Sequence, residues 1–214
     1  MKRRLFGRSL LAVAVLGSAC CSDSSEPLYK DVSQPVERRI DDLMGRMTLR
    51  EKIGQMCQFV GLEHLRMAER NATPEEIRDG HAQGYYPGYH STDILRMVET
   101  GEASSFFHVV TPEEANYLQG LAQKSRLQIP LIIGIDAIHG NGLYSGATIY
   151  PTSIGQAATF DPDLVERLCR ETALEMRAMG AQWTFNPNVE VARDARWGRC
   201  GESFGEDPLL VGRM

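Results

Sequence analysis

The sequence has little cysteine and no excess of positive charge. Five of its 214 residues are cysteines, and the three that follow the N-terminal segment, Cys57, Cys169 and Cys200, show no regular spacing. They predict buried free thiols and no disulfide framework. The formal net charge of -5 gives no reason to expect a nucleic-acid partner. With 43% hydrophobic and 24% charged residues, the composition is ordinary for a soluble globular domain.

The motifs of several other chemistries are missing as well. No Gly-x-Gly-x-x-Gly follows a predicted strand and no phosphate-loop lysine motif occurs, which disfavours a nucleotide-binding α/β protein. No grouping of His, Asp, Glu and Cys has the spacing of a known metal site. The sequence therefore predicts neither a metal nor another cofactor.

The N-terminus has the three-part layout of a secretory signal. Basic residues come first, the apolar residues 10–16 form a run too short to span a bilayer comfortably, and Gly17-Ser-Ala-Cys20 follows. A cysteine after small residues resembles a bacterial lipobox, with Cys20 or Cys21 as the lipidated residue; a plain signal peptide cleaved near Ala19 is the alternative. We predict a signal over 1–20, a flexible tether over 21–34 and a folded domain over 35–214. The protein is then exported, either to the periplasm or as an outer-membrane lipoprotein of a bacterium, with a lipid anchor as its only membrane contact.

Helical and extended patterns alternate along the folded part. Apolar residues recur at helical spacing from Val36 to Met47, and Thr48 with Glu51 forms a capping-box pattern that opens a second helix. Residues 61–102 show no clean period and predict a surface excursion of loops and short helices. Residues 207–214 look like the first turns of a helix, so we expect the chain to be the N-terminal part of a longer protein.

Three strands and two well-signalled helices carry the fold prediction. The strands are expected at 104–110, 131–135 and 181–185. One helix begins after Thr111 and continues to about Ser125, and the other begins after Asp161 and ends at Gly180. Strand, helix, strand, helix, strand is typical of βαβ units, so the sequence predicts an α/β fold with a parallel sheet.

The run Leu131-Ile-Ile-Gly-Ile-Asp-Ala-Ile-His-Gly140 holds the first candidate site. Its aliphatic part predicts a strand buried on both faces, with Asp136 and His139 at the carboxyl end, where α/β enzymes bind ligands. A short carboxylate there is suited to accept hydrogen bonds from two neighbouring sugar hydroxyls. For an isolated Asp or His the alternatives are a capping carboxylate and a loop histidine with satisfied hydrogen bonds.

A second candidate loop runs from Val191 to Asp207. It combines arginines, acids and glycines around Trp197, whose flat face could stack on a sugar or serve only as a core anchor. Arg199 offers a fixed fork of hydrogen-bond donors. The other charged candidates in this loop are Arg193, Asp194 and Glu202.

Together these segments resemble glycoside hydrolase family 3, with the β-glucosidase branch nearest. The resemblance is carried by Ile129-Pro-Leu-Ile-Ile-Gly-Ile-Asp-Ala-Ile-His-Gly-Asn, Gly146-Ala-Thr-Ile-Tyr-Pro-Thr-Ser and Arg193-Asp-Ala-Arg-Trp-Gly-Arg-Cys-Gly-Glu-Ser-Phe-Gly-Glu-Asp-Pro. It implies an N-terminal (β/α)8 TIM-like barrel, here truncated after about half of the strands, and retaining hydrolysis of terminal β-D-glucosyl residues.

The resemblance also implies roles for individual residues. Asp136 matches the carboxylate that accepts hydrogen bonds from hydroxyls of the non-reducing sugar, and Arg199 matches its arginine partner. His139, Arg193, Asp194, Trp197 and Glu202 are expected to shape the site. The expected partner is a β-glucoside or an oligosaccharide.

The family's catalytic groups have no counterpart in residues 1–214. Retaining hydrolysis needs a nucleophilic carboxylate and an acid/base about 5 Å apart. The family's Ser-Asp-Trp-type nucleophile segment and its Lys-His pair do not occur in this sequence. We therefore expect part of a sugar subsite without chemical machinery, and a chain that is inactive alone. A β-xylosidase, a β-N-acetylhexosaminidase and a non-catalytic carbohydrate-binding remnant are the alternative interpretations.

Overall fold

The structure is a computed structural model that describes residues 26–82 and 84–214. The chain divides into two compact units, Met1–Gly45 and Arg46–Met214. The predicted signal segment, with Cys20 and Cys21, lies outside the described residues. Among the residues described, no helix is long and apolar enough to cross a membrane.

In the first unit, a short 3-10 turn at Leu28–Lys30 precedes helix α1, Val36–Arg46. The backbone N–H of Tyr29 donates to Asp42 Oδ2 at 3.0 Å, and Arg39 Nε donates to the Tyr29 carbonyl at 2.9 Å. The segment predicted as a tether, residues 21–34, therefore includes a turn that is hydrogen-bonded to α1.

In the second unit, helices and short strands alternate. The helices are α2 Leu49–Gly54, α3 Leu62–Asn71, α4 Pro74–Arg78, α5 Ser91–Thr100, α6 Pro112–Ala122, α7 Ser153–Ala157, α8 Pro162–Met179 and α9 Pro208–Arg213. The strands are β1 Gln58–Val60, β2 Ser105–Phe107, β3 Ile132–Ile135 and β4 Trp183–Thr184. The expected caps are present, since Thr48 and Glu51 form a capping box and Gly180 ends α8 in the left-handed conformation.

The four strands form one parallel sheet in the order β1-β2-β3-β4. This chain-order parallel sheet, with helices between its strands, is what half of a (β/α)8 barrel looks like, so the predicted α/β partial barrel is confirmed. The strand predicted at 104–110 is only three residues long, because His108 adopts a left-handed φ of 57° and ends its regular course.

The core lies between the sheet and the helices that cover it. Phe106, Ile133 and Ile135 of the central strands are fully buried, and α6 contributes the predicted apolar residues Ala115, Leu118, Leu121 and Ala122. Gly134 interrupts this apolar strand for a steric reason. A Cβ at that position would lie 2.6 Å from the ring of Phe185, so only glycine lets the ring pack over β3.

The prediction of a surface excursion over residues 61–102 was wrong for two of its segments. Helices α3 and α5 bury Leu62, Leu65, Ile94 and Val98 in the same core as the sheet. Because they share this core, the two helices belong to the fold of the domain.

The prediction of buried free thiols was half right. Cys57, Cys169 and Cys200 are free, but Cys169 is exposed and the other two are half-buried. Cys169 lies in α8, whose buried residues are Val165, Thr172, Met176 and Met179, and it is not among them.

Candidate functional site

The candidate site lies at the carboxyl ends of β2 and β3. Asp136 directly follows β3, and His108 directly follows β2, the neighbouring parallel strand. Because parallel strands end at the same edge of a sheet, the two side chains are neighbours. His108 Nε2 and Asp136 Oδ2 are 3.1 Å apart, and the two side chains are 20% and 37% exposed.

The protonation of His108 follows from its surroundings. Burial lowers the pKa of His108, the hydrogen bond and the charge of Asp136 raise it, and the nearby His64 lowers it, with a net decrease. The imidazole is therefore neutral at pH 7, and its Nε2–H donates to the Asp136 carboxylate. Among the described residues no hydrogen bond occupies Asp136 Oδ1, which leaves that oxygen for a ligand.

Asp136 and His108 open onto a cleft of about 820 Å³. Side chains of α3, of α4 and of the segment after α4 form its other walls, among them His64, Met67, Glu76, His81 and Tyr86. His64 Nε2 is buried and has no hydrogen-bond partner among the described residues. The cleft therefore combines apolar walls with polar groups, as small-molecule sites do.

His139 holds the loop that follows Asp136. Its Nδ1 lies 2.9 Å from the carbonyl oxygen of Tyr150, and the Tyr150 N–H donates to the His139 carbonyl at 2.8 Å. Gly140 lies next to this pair with a φ of 99°, and a Cβ there would be 2.0 Å from the Thr148 carbonyl oxygen. The loop over 136–142 is thus fastened to residues 148–150 by backbone contact.

Arg199 is held by an acid from its own loop. Its Nε donates to Glu202 Oε1 at 3.0 Å and its Nη2 to Glu202 Oε2 at 2.7 Å, while Asn188 also donates to Glu202 Oε2 at 2.7 Å. The hydrogen bond from Arg199 lowers the pKa of Glu202 despite some burial. This two-point pair uses one edge of the guanidinium, so the edge that carries Nη1 is directed elsewhere.

The charge of Asp136 contributes to the raised pKa of Arg199. The bond to Glu202 is the largest cause that raises the pKa of Arg199, and the charges of Glu202, Glu190 and Asp136 act in the same direction. The charge of Asp136 is the smallest of these causes, and among the described residues no hydrogen bond or ion pair joins Asp136 to Arg199. The direct partner of Asp136 is the imidazole of His108, whereas the resemblance implied Arg199 as its partner.

The other predicted residues of this loop, Arg193, Asp194 and Trp197, make their contacts with residues other than Asp136 and Arg199. Asp194 pairs with Arg196, whose Nη2 lies 2.6 Å from Asp194 Oδ2, and these bonds lower the pKa of Asp194. Arg193 is exposed and lines a separate open cleft with Phe204. Trp197 is half-buried, and its backbone N–H donates to the Asp194 carbonyl at 3.0 Å. It is thus not a fully buried core anchor.

Within residues 26–82 and 84–214, no group of three or more His, Cys, Asp or Glu side chains is arranged to hold a metal ion. His108 and His64 were missed in the sequence. A signal for His108 was present, because it ends a β-type run beside the strand that leads to Asp136. His64 gave no comparable signal, since it lies within a helix.

Comparisons with known proteins fit this arrangement. Residues 48–214 match the glycosyl hydrolase family 3 N terminal domain. The chain is 32% identical over 176 residues to the periplasmic beta-glucosidase of Salmonella typhimurium, which covers 82% of this chain and 19% of that protein. It is 30% identical over 203 residues to the periplasmic beta-glucosidase/beta-xylosidase of Dickeya chrysanthemi, with 87% of this chain and 28% of that protein covered.

A solved structure shows the same fold. The exo-1,3/1,4-beta-glucanase of a Pseudoalteromonas species superposes with a TM-score of 0.64 at 31% identity, over 84% of this chain and 21% of the other. The chain spans less than a third of the length of each of these relatives. With most of its length matched by the family's N-terminal domain, the chain belongs to glycosyl hydrolase family 3.

Proposed function

We propose that this chain supplies part of the sugar-binding subsite of an exported retaining β-glucosidase that acts on terminal non-reducing β-D-glucosyl residues. The observation that carries the proposal is the Asp136 carboxylate at the carboxyl end of β3. One of its oxygens is bonded to His108, and its charge is among those that raise the pKa of Arg199. Both residues match family positions that contact the sugar.

This arrangement suits the recognition of neighbouring hydroxyls. An ionised carboxylate accepts stronger hydrogen bonds than a neutral group, and a guanidinium donates to the oxygens that the carboxylate does not reach. A site built from such groups disfavours an analogue that lacks a hydroxyl, because the protein's polar groups would stay unpaired. Binding energy gained here can also favour the distorted ring of the oxocarbenium-like transition state.

In this proposal the two carboxylates of the chemical step do not come from residues 1–214. The nucleophile and the acid/base of the family belong to segments without counterpart in this sequence, so the role assigned to the chain is binding. His139 and Glu202 then shape the site, the first by fastening the loop after Asp136 and the second by holding Arg199. Arg193, Asp194 and Trp197 complete the second loop.

Sugar binding by the 214-residue chain tests this proposal. Saturation-transfer NMR should detect methyl β-D-glucoside, and at least one monodeoxy analogue of that glucoside should fail to bind. The chain alone should not hydrolyse 4-nitrophenyl β-D-glucoside. Equal signals from all the deoxy analogues would contradict hydroxyl recognition. Turnover by the pure chain would contradict the assignment of catalysis to other segments.

The same experiment separates the alternatives. The name of the Dickeya relative includes β-xylosidase, and a xyloside lacks the C6 hydroxymethyl group. Stronger binding of methyl β-D-xyloside than of the glucoside would favour a β-xylosidase. A non-catalytic carbohydrate-binding protein would bind sugar equally well, and it differs in having no hydrolytic activity in the organism's own form of the protein.

We further propose that the protein is exported and carries lipid at Cys20 or Cys21. The basic, apolar and small-residue sequence of the first twenty residues supports this. Mass spectrometry of protein expressed in a bacterium should find a mature chain that begins at one of these cysteines with an added diacylglycerol. Replacing both by alanine should abolish the modification, whereas Cys57→Ala should not. A mature chain that begins at another residue refutes anchoring.

A further inference from the structure

The structure carries one inference beyond the sugar subsite, and it concerns His108. We propose that His108 is a positioning residue: its neutral imidazole donates to Asp136 Oδ2 and directs the other oxygen of the carboxylate toward the sugar. The inference rests on the proposed subsite. It adds a residue that neither the motifs nor the comparisons assign.

The backbone of His108 is held in an uncommon conformation. Its φ of 57° lies in the left-handed region, which few residues other than glycine adopt, although His is among those that tolerate it better. Two contacts hold it there. The His108 N–H donates to the Gly134 carbonyl at 2.9 Å, and a Cβ at Gly61 would lie 2.4 Å from the His108 carbonyl oxygen. The peptide of His108 is therefore wedged between β3 and the start of α3.

The ring of His108 is oriented by aromatic neighbours. It stacks on the ring of Phe107 with centroids 3.5 Å apart, and Phe107 in turn meets Phe185 edge-on at 5.1 Å. Phe185 fits because Gly134 has no side chain. These contacts keep the imidazole from rotating, so Nε2 stays directed at Asp136. Backbone strain of this kind is concentrated at functional sites in proteins.

A neutral donor orients a carboxylate without cancelling its charge. A lysine or arginine in the same place would form an ion pair with Asp136 and weaken it as an acceptor for sugar hydroxyls. Burial and the neighbouring His64, whose ring centroid is 6.0 Å away, both favour the neutral form of His108. Asp136 thus keeps its negative charge while one oxygen is fixed.

Two substitutions separate the hydrogen bond from the packing. His108→Phe keeps an aromatic ring but removes the donor, and it should weaken methyl β-D-glucoside binding by about fivefold or more. His108→Gln restores an N–H at a similar reach, and it should bring the affinity back to within about twofold of the original. His90→Gln, in a side chain that is 82% exposed, is the matched control and should change nothing.

A second measurement needs no sugar. The ring N–H of His108 should be visible in the proton NMR spectrum, because its hydrogen bond slows exchange with water, and it should disappear in Asp136→Ala. If that signal is missing from the original chain, the positioning role is refuted whatever the sugar data show. If the signal is present and Asp136→Ala abolishes sugar binding while His108→Phe does not, His108 has no such role and the subsite stands. If Asp136→Ala leaves sugar binding unchanged, the proposed function fails, and the ring N–H signal alone decides whether His108 orients the carboxylate.

Discussion

Asp136→Ala should abolish detectable binding of methyl β-D-glucoside to the chain. A hydrogen bond to a charged group contributes about 1.5–3 kcal/mol, so the loss of a carboxylate that accepts two hydroxyls should weaken binding by two orders of magnitude or more. The measurement is the saturation-transfer signal as a function of glucoside concentration. Asp136→Asn should give an intermediate result, because an amide oxygen still accepts but carries no full charge.

The control for this prediction is Asp163→Ala. Asp163 lies exposed in the first turn of α8, so its replacement removes the same charge from a position outside the site. Its glucoside affinity should match that of the original chain. An Asp136→Ala chain that is folded, as judged by its Tm, and binds glucoside normally would remove Asp136 from the site.

Gly140→Ala should be the most destabilising single change in the loop that follows Asp136. The residue has a φ of 99°, and the added Cβ would lie 2.0 Å from the Thr148 carbonyl oxygen, a backbone atom that cannot move aside cheaply. A left-handed backbone costs a non-glycine residue about 1–2 kcal/mol, and overpacking adds about 1–3 kcal/mol. The combined loss of about 3 kcal/mol should lower the Tm by about 6–12 °C.

Gly146→Ala separates the cost of the left-handed backbone from the cost of the contact with Thr148. Gly146 has nearly the same φ, 98°, but a Cβ there would meet nothing within 4 Å. It should therefore show only the backbone cost, with a Tm about 2–8 °C below that of the original chain. Equal losses of Tm in the two variants would mean that the contact between Gly140 and Thr148 does not hold the loop.

Three strands of the sheet could be predicted because their signals are local, whereas β1, Gln58–Val60, was not predicted. Residues 131–135 form a run without a polar residue, and Thr111 and Asp161 are followed by proline and acids in the pattern that opens α6 and α8. Such features depend on a few adjacent residues. The order and direction of the strands then followed from the alternation of strands and helices.

Residues 61–102 could not be predicted in the same way. Helices α3 and α5 have ten residues each and α4 has five, which is shorter than the window in which apolar periodicity is reliable. Their burial depends on the rest of the domain, because Ile94 and Val98 lie in a core cluster that residues of the sheet and of α6 also form. The apolar periodicity of one segment does not show whether other parts of the domain will bury it.

The sequence predicted a role for Asp136 but not its pairing with His108. Asp136 could be recognised from the end of its strand, but its partner His108 is 28 residues away and reaches it through a left-handed residue. No spacing rule connects two strand ends across an intervening helix. The pairing of Arg199 with Glu202 was easier to expect, because both lie within one short loop.

That last pair has a thermodynamic consequence for ligand binding. An arginine side chain that is free in solution loses about 2 kcal/mol of rotamer entropy when a ligand immobilises it. Arg199 is already fixed at two nitrogens by Glu202, and Glu202 is fixed by Asn188. Arg199 therefore loses little further side-chain entropy when a ligand binds, so in the proposed subsite its ordering cost is already met by folding.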